Sequence, residues 1–236
     1  MGAALVRQLA REGCQVAALA RRGEVLAALA AECNADGAAA GGRVIVAAHD
    51  VRQTAEVPAL FERLVGELGG LDLLIFAAGI MPPVGRHEYD TAADLDVLAA
   101  NLGGAMAWGN AAAALFRSQR NGTLVGISSI AGDRGRKGFP AYATSKAGLD
   151  CYLESLRNRL AEAGVHVCTI KPGYVATPMT AGLSGLFWVI TAEQAAETIL
   201  SAARRRVNVR YVPWRWRIVG LVLKLIPSFV FRRLEF

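Results

Sequence analysis

The sequence of 236 residues is poor in the side chains that build metal and redox centres. Its four cysteines, Cys14, Cys33, Cys151 and Cys168, are scattered without a C-x-x-C pair, and its three histidines, His49, His87 and His166, are equally dispersed. No Cys/His spacing suits a metal ion, so no metal site is expected and the histidines read as structural or surface groups. The cysteines read as small buried hydrophobes in a reduced, cytoplasmic setting. A bilayer-spanning run is also missing. Such a run needs about 20 apolar residues, and the stretch from Ile218 to Ile226 is interrupted by Lys224 and stopped by Pro227. Arg7 and Arg11 break up the first residues, which do not read as a secretory signal. Position six lacks the Ser or Thr of a myristoylation site. Acid is scarce at one end only. From Arg204 to Phe236 nine Lys/Arg face one Glu, although the whole chain carries only +6, so the body is slightly acidic. This argues against nucleic acid as a partner and singles out the tail.

What is present fits one domain of moderate size, 53% hydrophobic and with 25 glycines. Short apolar or β-branched runs are expected as strands at Gln15–Ala20, Arg43–Ala48, Leu73–Ala77, Thr123–Ser128, His166–Ile170 and Val209–Val212. Between them, helical patterns cover Gly2–Arg11, Glu24–Asn34, Ala55–Leu68, Ala92–Phe116, Tyr142–Ala163 and Ala192–Arg205. This alternation predicts an α/β fold of βαβ units on a parallel sheet, which binds ligands at the carboxyl ends of its strands.

At those ends stand the candidate site residues. Tyr142 precedes Lys146 by four positions, one helical turn, so phenol and ammonium share a face. A tyrosine ionises near pH ~10, and a neighbouring cation lowers that value toward use as a general acid or base. Ser129 ends a strand thirteen residues earlier and offers a hydroxyl to the same substrate oxygen. Asn101 sits inside a helical stretch where asparagine is a poor helix former, so it reads as holding a water or a backbone group. Lys171-Pro172-Gly173-Tyr174-Val175-Ala176-Thr177 makes a rigid turn after a strand.

Together with Asp50-Val51 and Ala77-Ala78-Gly79, these pieces resemble the classical short-chain dehydrogenase/reductase family, in order and at family spacing, from Gly2 to about Arg206. The resemblance implies a Rossmann-like doubly wound parallel sheet and an oxidoreductase that moves hydride between a nicotinamide and a carbonyl or alcohol. It implies Tyr142 as proton donor, Lys146 as its tuner and ribose anchor, Ser129 as carbonyl-positioning group and Asn101 as anchor of a relay water. Gly2, Asp50, Val51, Ala78, Gly79, Pro172, Gly173, Val175 and Thr177 are the further cofactor contacts it implies. The second strand ends Arg21-Arg22 without an acid, and guanidinium suits a 2′-phosphate. NADP(H) is therefore expected over NAD(H), with reduction as the working direction.

Two departures stand out. The family's first strand and most of its Gly-rich phosphate loop have no counterpart before Gly2, which would leave two central neighbours unpaired. A start lying upstream is the favoured account, and the alternative is a catalytically impaired remnant that serves as a binding or scaffold protein. Ala77 stands where the family usually has Asn. Residues 1–206 are expected to form the dehydrogenase domain. Residues 207–236 would add a last strand and a basic, hydrophobic segment packed on it, as a lid or subunit contact or as an interfacial helix touching a membrane peripherally. The pocket is expected from Met81–Glu88, Gly132–Phe139 and Met179–Ile190, where Met81, Phe139, Leu186, Phe187 and Trp188 suit a hydrophobic ketone, aldehyde or acyl chain. A homodimer or homotetramer, formed through the two long helices, is the expected assembly.

Overall fold

A computed structural model describes residues 1–37 and 40–234. Helix α1 (Gly2–Arg11) leads into β1 (Gln15–Ala20), α2 (Gly23–Gly37) and β2 (Arg43–Ala48). There follow α3 (Val57–Leu68), β3 (Leu73–Phe76), α4 (Thr91–Leu98), α5 (Gly104–Gln119), β4 (Thr123–Ile127) and α6 (Pro140–Leu160). The chain ends with β5 (His166–Pro172), α7 (Ala192–Arg204), β6 (Val209–Val212), α8 (Trp216–Leu225) and the short α9 (Ser228–Phe231). β1, β2, β6 and α1 lie where the pattern predicts them.

Every ladder is parallel. β1 pairs with β2, and β3, β4, β5 and β6 form a second ladder in that order. Among the described residues no ladder joins β1 to β3. The side chains of the strands alternate between two helical layers, as a doubly wound fold requires. Leu124 and Val167 point into a core with α3, α5 and α6. Their neighbours Val125 and Cys168 point into the opposite core with α1 and α7, and a third core joins α1 and α2 to Ala18 and Val44. Because both faces are covered, all seven residues of β5 are buried.

Local chemistry fixes the helix ends near the sheet's carboxyl rim. Asp90 caps α4 by accepting from Ala93 N at 3.1 Å. Thr191 and Gln194 form a reciprocal capping box on α7. Pro140 opens α6 at a first-turn position where its missing N–H costs nothing. One expected element is interrupted: the stretch Ala92–Phe116 is two helices, α4 and α5, separated by a π turn over Ala99–Gly103. Residue 101 lies in that turn, where wider winding re-aims its side chain.

Cysteine placement differs from the expectation in part. Cys33 and Cys168 are buried, but Cys151 is exposed and Cys14 half-buried, and all four are free. Cys151 falls on the outer face of α6, two residues ahead of the buried Leu153.

Candidate active site

The carboxyl ends of successive strands bring the expected residues to one rim. Arg21 and Arg22 follow β1, Asp50 and Val51 follow β2, Ala78 and Gly79 follow β3, Ser129 follows β4, and Gly173 follows β5. Tyr142 and Lys146 lie in the first two turns of α6, over the end of β4.

Ser129 is buried, starts a 3-10 turn over Ile130–Asp133, and accepts from Ala131 N at 3.1 Å. Its side chain also hydrogen-bonds the Tyr142 phenol. Burial pushes that phenol above the usual tyrosine value, while the Ser129 bond and the charge of Arg136 pull the other way. Lys146 is buried, and its Nζ lies 5.6 Å from the centroid of the Tyr142 ring and donates to Ile127 O at 2.8 Å. Burial lowers its own pKa to about 8, with Asp150 opposing. The lowered tyrosine expected from the Tyr–Lys spacing is thus not the state seen here. Desolvation outweighs the pairing, because the ammonium is turned to a strand carbonyl.

Asn101 is fully buried. Oδ1 accepts from Ile80 N at 2.7 Å, while Nδ2 donates to Ile80 O at 2.9 Å and to Ser145 Oγ at 3.0 Å. It holds a backbone group, as one of the two sequence readings had it. Both Nδ2 hydrogens are used, and Oδ1 keeps one acceptor position. Ser145 in turn donates to Tyr142 O at 2.7 Å, so Asn101 ties the loop after β3 to the helix that carries the tyrosine.

Gly79 sits against this cluster. A Cβ there would come within 3.2 Å of Asn101 Oδ1 and 3.6 Å of Lys146 Nζ, so glycine keeps an open wall beside the ammonium. Gly173 serves another contact: a Cβ would overlap the Trp216 indole at 2.0 Å. Val175 is buried and bridged to Ile190, and its carbonyl accepts from Thr180 Oγ1 at 2.7 Å. Thr177 N donates to the same Thr180 oxygen at 3.3 Å. Asp50 is held by Arg52 through Oδ2 at 2.5 Å, and this hydrogen-bonded ion pair draws its pKa down to about 2. Val51 packs on Gly104, and Arg21 and Arg22 are exposed. Gly2 opens α1, whose first turn has no side-chain cap. A dinucleotide suits this donor set: exposed guanidinium groups and an open glycine wall beside a buried ammonium.

Beside Tyr142 lies a cleft of about 50 Å³, lined by Pro82, Val84, Val97 and Phe139 among others. Of the segments expected to line the pocket, 81–88 and 132–139 contribute, and α4 adds a wall that was not foreseen. Phe187 and Trp188 do not line this cleft. They cluster instead with Trp216, their ring centroids 5.0 and 5.8 Å from it.

A buried charge cluster also escaped the sequence reading. Lys171 Nζ lies 2.6 Å from Asp133 Oδ1 and 2.7 Å from Asp150 Oδ2, and Tyr211 donates to Asp133 at 2.9 Å. Lys224 of α8 reaches Asp133 at 2.9 Å. Burial alone would raise the Asp133 carboxyl, but these donors hold it below the ordinary range. Burial dominates at Asp150 and raises it. Only Asp150 carried a usable signal, since it stands four residues after Lys146 on one face of α6. Among the described residues no His/Cys/Asp/Glu group could hold a metal, and no helix is long and apolar enough to cross a membrane.

Known proteins resemble this chain in sequence and in fold. Residues 1–185 match the family described as short chain dehydrogenase. An uncharacterized oxidoreductase of Mycobacterium tuberculosis is 32% identical over 234 residues, 99% of this chain and 92% of the relative. The ketoacyl reductase HetN of a Nostoc species is 30% identical over 88% of this chain and 73% of its own. A solved short-chain type dehydrogenase/reductase from Mycobacterium ulcerans shares the fold, with a TM-score of 0.82 over 98% of this chain and 93% of the other, at 22% identity. A family match over most of the chain, together with a relative aligned along nearly all of it, shows that this chain belongs to the short chain dehydrogenase family of oxidoreductases.

Proposed function

We propose that the chain is an NADP(H)-dependent reductase of a hydrophobic ketone or aldehyde, able to run in reverse as an alcohol dehydrogenase. The observation that carries this reading is the Ser129–Tyr142 hydrogen bond, set beside buried Lys146 at the rim where the strands end. A nicotinamide, when bound, supplies the hydride. Ser129 holds the substrate carbonyl by its hydroxyl. Tyr142 donates its proton to that oxygen, and its raised pKa keeps the phenol in the donating form at neutral pH. Lys146, with a pKa of about 8, is mostly protonated at pH 7, and from 5.6 Å off the ring centroid its charge favours the phenolate through space while its ammonium donates to Ile127 O. It also offers donors to the ribose beside Gly79. Arg21 and Arg22 would take the 2′-phosphate, Asp50 and Val51 the adenine, and the Pro172–Thr177 turn the carboxamide. Asn101 acts here by positioning α6 against the loop after β3. Pro82, Val84, Val97 and Phe139 on the cleft's wall favour a hydrophobic substrate, with Glu88, Asp90 and Asp94 on the same lining. The name of the ketoacyl reductase relative fits a carbonyl substrate.

The expected partners are that substrate, a second copy of the chain met through α5 and α6, and a membrane surface touched peripherally by residues 207–236 in a cytoplasmic protein. One observation bears on the rival reading of an impaired scaffold: among the described residues β1 and β3 share no ladder. Tyr142→Phe tests the main reading. It removes only the transferable proton, so turnover should fall by about 10²–10⁴ with NADPH binding kept. Lys146→Ala should damage both. Near-normal turnover in Tyr142→Phe refutes the role of the tyrosine, and failure of the parent chain to bind NADPH favours the scaffold.

A further inference from the structure

The tail is packed on one side and bare on the other. Helix α8 buries Trp216 and Gly220 against the body. Lys224 joins Asp133, and the Arg134 guanidinium donates to the carbonyls of Leu223 and Ile226 at the end of α8 and lies 4.0 Å over the Phe231 ring. The opposite side carries Ile218, Leu221 and Leu225, exposed by 55%, 59% and 73%, with Trp214 and Phe229 continuing the stripe. These positions recur at helical spacing, so the chain presents one ordered apolar ridge rather than scattered residues.

A second apolar group adjoins the tail. Phe187 and Trp188, both exposed, stack against Trp216, and Arg215 lies 5.0 Å over the Trp188 ring. Trp216 faces the body, so the loop after β5 meets α8 beside the ridge, where exposed Arg215 covers Trp188. An exposed apolar ridge of this kind marks an interaction site. Charge selects the occupant. Arg215, Arg217, Arg232 and Arg233 border the ridge, and from Arg204 to Leu234 the chain has no acid. Two copies meeting here would set like charges face to face, whereas an anionic bilayer offers the opposite sign together with an apolar interior.

We infer that the outer face of α8 and α9, with Phe187 and Trp188 of the loop after β5, docks on an anionic phospholipid bilayer. Tryptophan and the leucines enter the headgroup boundary while the arginines meet lipid phosphates. Of the segments expected beside the substrate, 132–139 and 179–190 contact this tail through Arg134 and Trp188, and 132–139 also reaches the cleft beside Tyr142 through Phe139, which brings the docked face near the substrate side. A hydrophobic substrate then reaches the site from the lipid it dissolves in. This deepens the peripheral contact proposed above. The substrate route rests on the reductase reading, and the docking does not.

Co-sedimentation of the full chain with vesicles of phosphatidylglycerol or of phosphatidylcholine tests it. Binding to the anionic vesicles at low salt, weakened at high salt, is expected. Leu221→Glu with Leu225→Glu should lower partitioning about tenfold or more, since both residues are exposed and the fold is spared, as an unchanged melting curve will verify. Arg217→Glu with Arg232→Glu should lower it by a similar factor and flatten the salt dependence. Trp188→Ala should lower it severalfold. Tyr142→Phe should bind vesicles like the parent, which separates docking from catalysis. No binding to anionic vesicles at low salt overturns the inference. So does parent binding that none of the tail and loop variants alters, which would move the contact to another face. Conversion of a parent dimer to a monomer by the leucine pair would assign the ridge to a second copy and overturn it as well.

Discussion

In the four-strand half of the sheet, all seven residues of β5 are buried, Lys171 among them, paired there with two carboxylates. In the two-strand half, β1 and β2 bury only Ala18, Val44 and Ala47. The proton-handling residues stand on the first half, and the arginines read as facing a 2′-phosphate stand at the exposed end of β1. The contrast follows from strand position, since β5 is paired on both sides whereas β1 and β2 pair only with each other among the described residues; it also suits what each side must do. Proton transfer depends on sub-ångström placement, which a dense and hydrogen-bonded support supplies. A cation meeting a phosphate tolerates looser placement, since charge attraction falls off slowly with distance.

The contrast can be broken most directly at Lys171. Lys171→Met leaves Asp150 without a cation and Asp133 with only the half-exposed Lys224, and breaking a buried pair in this way costs about 3–5 kcal/mol. Urea unfolding should show that loss. A cost typical of a surface change would mean that the network braces nothing.

A smaller effect, of about 3 kcal/mol, is expected at Lys146. Its pKa is about 8 in the folded protein against an ordinary 10.5, so the unfolded chain binds more protons between those values. Stability conferred by this group therefore rises with pH across that window. Comparison of the parent with Lys146→Met isolates it from the tyrosines and cysteines that titrate nearby. A pH-independent difference would place the ammonium in a wetter site than the structure gives it.

The two-strand half should answer differently. Arg21→Ala with Arg22→Ala removes exposed side chains, so the melting temperature should hold. NADPH should weaken relative to NADH by about tenfold or more, since a charge-assisted contact is worth roughly 1.5–3 kcal/mol. Calorimetric titration with both nucleotides checks this, and unchanged selectivity would point to NAD(H).

Legibility in the sequence followed the range of the interaction. Strands β1, β2 and β6 were readable because apolar runs between turns leave few alternatives, and the Tyr142–Lys146 spacing is local by construction. The break at Asn101 was not readable, since hydrophobic periodicity runs through the π turn and only the poor helix propensity of Asn hinted at it. The cluster of Asp133, Asp150 and Lys171 was not readable because the partners stand 17 to 38 positions apart and meet only where β5 packs under α6. The same holds for Cys151, whose side of α6 depends on helix phase rather than on residue type.

The close approach of Trp216 to Gly173 has a consequence for variation among related chains. Position 173 can accept a side chain only where the indole at 216 is replaced by something smaller. A side chain at 173 should thus appear only together with a smaller residue at 216, 43 positions away. Grafting the tail of one homologue onto the body of another will succeed or clash according to that single pairing, which makes it the first junction to inspect in any chimera.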